Sequence, residues 1–473
     1  MRVLFAASEA LPYSKTGGLA DVAQALPSAL QALGVDVRLL TPAYRHALSR
    51  LHDAREIASL GVRGHPLRVL EGRAPGDLHT SWLLDCPELY ARDGTPYVDA
   101  DGRDHADNPL RFAVFCEAIA RLAAGAVPGW RADCVHLNDW QTGLAPLYLP
   151  AAGRPRTVFT IHNLAYQGVY DRDTYDALGL PPQHWHMRAL EFHGRFSFLK
   201  AGLVFADVLT TVSPSYAREI QTAEQGHGLD GVLRERAAAL HGLLNGIDDA
   251  VWNPATDPAL DMRYDRCSFA LGKAANRSAL RSALGLADDS SLLVGVISRL
   301  AYQKGTDLLL AARAQLRELP LQLVVLGSGE RAQEQALRAW AAGEPERVAV
   351  HIGYDEALAH RINAGADCIL MASRYEPCGL NQMYAQRYGT VPIVRRVGGL
   401  ADTVVDATDA ALADGSATGI QFEHADVGGL LYGLRRALEL YAQPQVWRAL
   451  QRAGMRRDFS WRHAAQAYVA LYR

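Results

Sequence analysis

Short runs of consecutive apolar residues alternate along the chain with longer stretches in which apolar positions recur every three or four residues. The first run, "RVLFAAS" from Arg2, is followed by helical spacing from about Leu19 to Leu33 and then by "DVRLLTP" from Asp36. "DCVHLND", "RTVFTIHN" and "ADVLTTVS" continue the series in the first half. "SLLVGVISRL", "LQLVVLGSG", "ERVAVHIG", "ADCILMAS" and "TVPIVRR" carry it through the second. Each run is rich in Val, Ile and Leu and is bounded by Gly, Pro, Asp or Ser. Strands of a parallel sheet buried on both faces read this way. Their alternation with helical stretches predicts right-handed βαβ units and an α/β fold.

A chain of 473 residues exceeds one ordinary core. The pattern breaks at "LLNGIDDAVWNPATDP", Leu243 to Pro258, where Asn-Gly, Asp-Asp, Asn-Pro and Asp-Pro are all turn-prone pairs. We expect one domain over residues 1–247 and a second from 248. "PYVDADGRDHADNP", Pro96 to Pro109, reads as a long surface loop. The composition, 49% hydrophobic and 21% charged, is that of a globular protein. A net charge of −3 gives no global basic footprint for nucleic acid. No stretch approaches the ~18 uncharged apolar residues of a membrane span. The N-terminal apolar run is broken at Glu9, unlike a secretory signal. Six scattered cysteines form no Cys-x-x-Cys pair, which fits free thiols in a reducing cytoplasm.

Candidate chemistry gathers after the strands. "KTGGLADV" (Lys15 to Val22) follows the first run, and "VGGLADTV" (Val397 to Val404) follows a late one. Glycines there let backbone approach a ligand, and helix N-termini offer free N–H groups to anions. Gly17-Gly18 and Gly398-Gly399 are therefore candidate walls of one cleft, although two unrelated tight turns would leave the same word. Neither loop is a Walker A or a Gly-x-Gly-x-x-Gly fingerprint, which removes the main support for an ATPase or a dehydrogenase. In "SRLAYQKGTD", Arg299 and Lys304 suit a phosphate site, or else a solvated surface. In "SRYEPCGLNQMYAQRYG", Glu376 has the chemistry to hold sugar hydroxyls or to oppose positive charge at an anomeric carbon. The other reading is an acid complementing a helix start. Cys378 is either a thiol activated at a helix start or a packed free thiol.

Eight blocks in order resemble the bacterial glycogen synthases related to plant starch synthases. They are "KTGGLADV", "NDWQTGLAPLYL", "FTIHNLAYQG", "TVSPSYAREI", "LLNGIDDAVWNP", "SRLAYQKGTDLLL", "YEPCGLNQMYAQRYGTVPIVRRVGGLADTV" and "FSWRHAAQAYVALYR". The resemblance implies the GT-B glycosyltransferase fold, two Rossmann-like domains facing an interdomain cleft. It returns the C-terminal segment to the first domain, giving 1–247 plus 455–473 on the glucan side and 248–454 on the nucleotide-sugar side. The implied reaction moves glucose from ADP-glucose to the 4-hydroxyl of an α-1,4-glucan such as glycogen, with retention, no cofactor and no metal.

The resemblance also implies roles. Lys15, with Gly17 and Gly18, approaches the sugar nucleotide, while Arg299 and Lys304 neutralise its diphosphate. Glu376 contacts the donor glucose, with Cys378, Gly379 and Leu380 beside it. His162 lies near the reacting face, and Asp139 is needed for activity. Tyr354 is a candidate for stacking on adenine, or equally a core tyrosine. Asn245 and Gln141 are further candidate cleft contacts. Two positions depart from the family pattern: Gln141 stands where many relatives carry His, and Asn138 where bacterial ones often do. Gln cannot titrate near neutral pH, so Gln141 is read as a structural or hydroxyl-binding contact.

The pair Asp99 and Asp101 imitates a metal-binding Asp-x-Asp but lies in a loop. His184, His186 and His193 have no metal-ligand spacing. A UDP-glucose transferase or a non-catalytic glucan-binding protein of the same fold are the rival functions. A diphosphate clamp of Lys15, Arg299, Lys304 and Glu376 argues against mere glucan binding.

Overall fold

The computed structural model describes every residue from Met1 to Arg473. The chain divides into two compact units, Met1–Gly246 with Trp461–Arg473, and Ile247–Ser460.

The first unit holds β1 (Arg2–Ala6), β2 (Asp36–Pro42), β3 (His52–Val62), β4 (His65–Arg73), β5 (Thr80–Asp85) and β6 (Cys134–Asn138). Then come β7 (Arg156–Ile161), β8 (Val169–Tyr170), β9 (Glu191–Phe192), β10 (Arg195–Ser197), β11 (Val208–Thr211) and β12 (Leu240–Gly242). One sheet runs β12-β11-β7-β6-β1-β2-β5-β4-β3, and β8, β10 and β9 form a small separate one. The apolar runs are its parallel strands, with Val3 opposite Val37 of β2 and Cys134 of β6.

The far edge departs from the all-parallel expectation, because β4 pairs antiparallel with both β5 and β3. β3 is exposed over most of its length, so no apolar run marks it. Its hairpin turns on Arg63 and Gly64, with φ of 50° and 84°. Two successive positive φ values make the turn whose twist matches that of the strands.

Val3 and Phe5 pack with Leu26 and Leu30 of the helix Gly18–Ala32, and with Trp461, Ala465 and Tyr468 of the C-terminal helix. The returning helix is pinned further by the Tyr472 hydroxyl, 2.7 Å from His136 Nδ1, and by Arg156 Nε donating to Leu471 O at 2.8 Å. The return starts at Trp461 rather than at 455. Met455 instead packs with Tyr264, Phe269 and Tyr388 of the second unit.

The second unit contains β13 (Leu292–Ile297), β14 (Leu321–Gly327), β15 (Val348–Ile352), β16 (Cys368–Met371), β17 (Val391–Arg395) and β18 (Ile420–Phe422). They are parallel throughout, in the order β15-β14-β13-β16-β17-β18. This is the doubly wound, Rossmann-like order. The chain builds outward from β13 in one direction, then restarts at β16 in the other. The first unit also reverses between β1 and β6, although beyond β2 the chain goes to the edge strand β3 and returns inward through β4 and β5. Ligands of such sheets bind beyond the carboxyl ends of the strands at that reversal.

Candidate functional site

In each unit several candidate residues follow the two strands that flank the reversal, while His162 follows β7, Asn245 follows β12, Tyr354 follows β15 and Gly398 follows β17. In the first unit, the segment after β1 carries Glu9, Lys15, Gly17 and Gly18, and β6 leads into Asp139. Glu9 is buried, and its Oε2 accepts from Thr16 N at 2.5 Å and Thr16 Oγ1 at 2.7 Å. Burial pushes its carboxyl up to about 7, although the Thr16 and Gly17 groups pull the other way. This carboxyl shapes the loop beside Lys15, whose Nζ donates to Asp21 Oδ1 at 2.8 Å. Gly17 and Gly18 are exposed at the start of a 15-residue helix, and a Cβ built on Gly18 meets nothing within 4 Å.

Asp139 adopts φ 59° and ψ 179°, a region that costs a non-glycine residue about 1–3 kcal/mol. Its Oδ1 accepts from His162 N at 2.8 Å, with Asn163 N within 3.5 Å. Burial raises this carboxyl to about 7 as well, against those two bonds and with a contribution from Glu9. His162 is half-buried just past β7, with Nε2 2.9 Å from Asn138 Oδ1. Burial pushes its imidazole down to about 3, so the ring is neutral at pH 7.

In the second unit the reversal joins residues distant in sequence. Lys304 Nζ donates to Glu376 Oε2 at 2.5 Å, and Ser373 Oγ donates to the same oxygen at 2.9 Å. Glu376 is 5% exposed, so the pair forms largely out of solvent. Arg299 donates to Gln303 Oε1 at 2.7 Å, and Gln303 Nε2 donates to Tyr375 O at 3.3 Å. Arg374 grips both oxygens of Asp307 at 2.7 Å and lies 3.6 Å from the Tyr302 ring centroid. These bonds lace the segment after β13 to the segment after β16. Gly305, at φ 72°, sits against Ala372 O, where a Cβ would come within 2.3 Å.

The second Gly-Gly-Leu-Ala-Asp differs from the first. Gly398 and Gly399 are buried. A Cβ on Gly398 (φ 46°) would lie 2.0 Å from Glu376 O, and one on Gly399 would lie 2.1 Å from Cys378 O. Gly399 N donates to Glu376 O at 3.1 Å. These glycines support the Glu376 backbone from beneath, whereas a Cβ on Gly17 would meet only Glu9 Oε1, at 3.7 Å, and Gly18 faces open space.

Cys378 is buried with the other thiols except Cys267. Gln382 Nε2 fixes the Cys378 and Gly379 carbonyls at 3.1 and 2.9 Å, and Leu380 stands half-buried at the head of the helix Asn381–Arg387. Tyr354 is 75% exposed just past the edge strand β15, which overturns the core-tyrosine reading. Gln141 is buried with Oε1 lacking a hydrogen-bond partner. Asn245 is also buried, but it follows β12 at the sheet's edge and hydrogen-bonds to none of the other candidates. Asp99 Oδ1 accepts from Asp101 N and Arg103 N at 2.9 Å, a turn of the surface loop. His184 packs on Phe205, and His193 on Phe192.

Sequence reading passed over Glu9, Asn138 as a partner of His162, and Ser373. A lone acid soon after an apolar strand was the only available sign of Glu9.

Residues 2–235 match the family model of the starch synthase catalytic domain, and residues 278–448 match that of glycosyl transferases group 1. Glycogen synthase 1 of Methylococcus capsulatus is 54% identical, with 100% of this chain and 96% of the relative covered. A glycogen synthase of Granulibacter bethesdensis is 52% identical over 100% of this chain and 98% of its own. Among solved structures, the catalytic domain of starch synthase IV from Arabidopsis thaliana, bound to ADP and acarbose, superposes with a TM-score of 0.89. Its identity is 34%, with 100% of this chain and 98% of the other covered. Sucrose-phosphate synthase from Thermosynechococcus elongatus shares the fold, with a TM-score of 0.61 at 19% identity over 100% of this chain and 98% of that one.

Proposed function

The chain belongs to the glycogen synthase family, and from that premise we propose that it transfers glucose from ADP-glucose to the non-reducing 4-hydroxyl of an α-1,4-glucan, releasing ADP. Its architecture is the two-domain GT-B glycosyltransferase fold. The observation that carries the reading is the Lys304–Glu376 ion pair at the second sheet's reversal, with Arg299 on the same segment as Lys304.

Two cations beside a strand end suit the diphosphate of a sugar nucleotide. As the glycosidic bond breaks, negative charge grows on the leaving ADP, and Arg299 and Lys304 oppose it where it develops. Losing one such contact costs roughly 3 kcal/mol of barrier. In the first unit, Lys15 lies on the loop that Glu9 shapes and is the cation that the family resemblance assigns to the sugar nucleotide there. Glu376 is tied to Lys304 and Ser373, which weakens it as a nucleophile and fits it to face an oxocarbenium-like sugar. Retention then follows from attack by the acceptor hydroxyl on the face that ADP leaves, with the hydroxyl proton passing to the departing phosphate oxygen as the C1–O bond to ADP breaks. His162 is neutral at pH 7 and serves as a hydrogen-bonding group rather than a proton donor. Tyr354 offers an exposed ring for adenine. No helix is long and apolar enough to cross a membrane, and a cytoplasmic site of action is part of the same proposal.

The test is glucose transfer to glycogen with ADP-glucose and UDP-glucose as competing donors, following diphosphate release and chain growth together. Strong preference for ADP-glucose is expected. Preference for UDP-glucose would overturn the donor, and no transfer from either would leave a glucan-binding protein.

A further inference from the structure

His162 is held at two points by consecutive residues of one strand end. Asp139 accepts from its backbone N–H at 2.8 Å, and Asn138 Oδ1 lies 2.9 Å from its ring Nε2. Asn138 itself is fully buried as the last residue of β6, and its Nδ2 donates to Ala6 O at 3.0 Å. That second bond fixes which end of the amide faces the ring. Turning the amide over would set Oδ1 against the Ala6 carbonyl and lose that bond, because two acceptors cannot pair. An amide oxygen only accepts, so the imidazole nitrogen opposite it must carry the hydrogen. The tautomer of an imidazole is set by the bond one of its nitrogens makes. The ring is neutral, burial being the cause, and the Asp139 carboxyl bonds the backbone N–H of His162. Nδ1 therefore keeps its lone pair, and it is not among the buried polar atoms left unbonded.

We propose that Asn138 is a positioning residue that locks His162 as the Nε2–H tautomer and so makes Nδ1 a standing acceptor for a hydroxyl of the donor sugar. The sugar as occupant rests on the proposed glucosyl transfer; the tautomer lock does not. An acceptor at this point selects an O–H and rejects a sugar lacking it. Burial, rather than the Asn138 bond, is what keeps this imidazole neutral. A titrating residue at 138 would not hold the lock, because it would change from acceptor to donor with pH. The Asn amide keeps one role throughout.

The decisive measurement uses the whole chain, 15N-labelled on histidine, with its ring nitrogens followed by proton–nitrogen correlation from pH 5.5 to 8.5. The His162 signals are assigned by their loss in His162→Gln. One neutral Nε2–H species is expected across the range in the native protein. An Nδ1–H tautomer, or protonation within the range, overturns the proposal. Asn138→Asp keeps the shape but places a carboxylate on the ring, so imidazolium should appear as pH falls. Asn138→Leu should give a tautomer mixture and lower kcat/KM for ADP-glucose by roughly 10- to 100-fold, the range for losing a residue that orients a functional imidazole. If Asn138→Leu does not fold, the native spectrum alone still decides the lock. The sugar contact is read separately, by crossing His162→Ala with singly deoxygenated donors. One deoxy donor should cost the variant much less than it costs the native enzyme. Full additivity for every deoxy donor overturns the hydroxyl contact while leaving the lock standing. An intact lock with no glucosyl transfer would instead overturn the proposed function alone.

Discussion

Two kinds of carboxyl sit at the two reversals, and they answer differently to substitution. Glu376 is paired with Lys304 in a nearly dry setting, where removing one partner strands the other. Glu376→Gln and Lys304→Met should each lower kcat by at least about 100-fold. The double variant should lose far less than the product, since each single change already breaks the pair. Losses that multiply fully would separate the two roles. Glu9 and Asp139 face no cation, and burial holds both near 7 against ordinary values of 4.5 and 3.8. Between those values the folded chain binds more protons than the unfolded one, so stability falls as pH rises from about 4 to 7 and levels above. Glu9→Gln removes one share of that fall, up to about 3 kcal/mol. The loss in unfolding temperature from pH 5 to pH 8 should therefore be smaller in Glu9→Gln than in the native chain. An equal loss would mean that Glu9 ionises in its ordinary range.

At the scale of elements, one five-residue word serves two physical ends. Gly18 opens a helix into free space, so Gly18→Ala should leave the unfolding temperature unchanged while a methyl on the candidate ligand-facing loop lowers kcat/KM. Gly398→Ala drives a methyl into Glu376 O, so stability and activity should fall together. Thermal unfolding beside initial rates checks both, and a harmless Gly398→Ala would remove the supporting role. This difference was not legible in "GGLAD", because whether a glycine is packed or open depends on residues outside the word, here the Glu376–Cys378 segment that folds back against the second copy. The parallel strands were legible, since burial on both faces writes an unbroken apolar run. The β3–β4 hairpin was not, because an exposed edge strand has no such run and Arg63-Gly64 is a weak turn signal. Arg299, Lys304 and Glu376 could be picked out as candidates, but only the β13–β16 adjacency turns two sequence segments into one ion pair. The roles of Glu9 and Asn138 went unread because each lies in a partner that only the fold supplies, Thr16 in one case and the His162 ring in the other.

At the scale of the whole molecule, each unit has its own doubly wound sheet and its own apolar core, one around β1 and one around β13 and β14. A ligand that binds only the native fold stabilises it by about 2.7 kcal/mol at a hundredfold excess over Kd. For domains of this size that corresponds to a rise of roughly 5–10 °C. If Arg299 and Lys304 hold a diphosphate, calorimetry should show ADP shifting one unfolding transition by that order, and adenosine shifting it far less. Lys304→Ala should bring the ADP shift down to the adenosine value, since the contact removed is to the phosphates. His162→Gln, which alters the other unit's cluster, should leave the ADP shift near its native size. Equal shifts from ADP and adenosine would place recognition in the base and take the diphosphate role away from the cations after β13. A shift lost in His162→Gln as well would mean that the nucleotide depends on both clusters rather than on the second sheet's reversal.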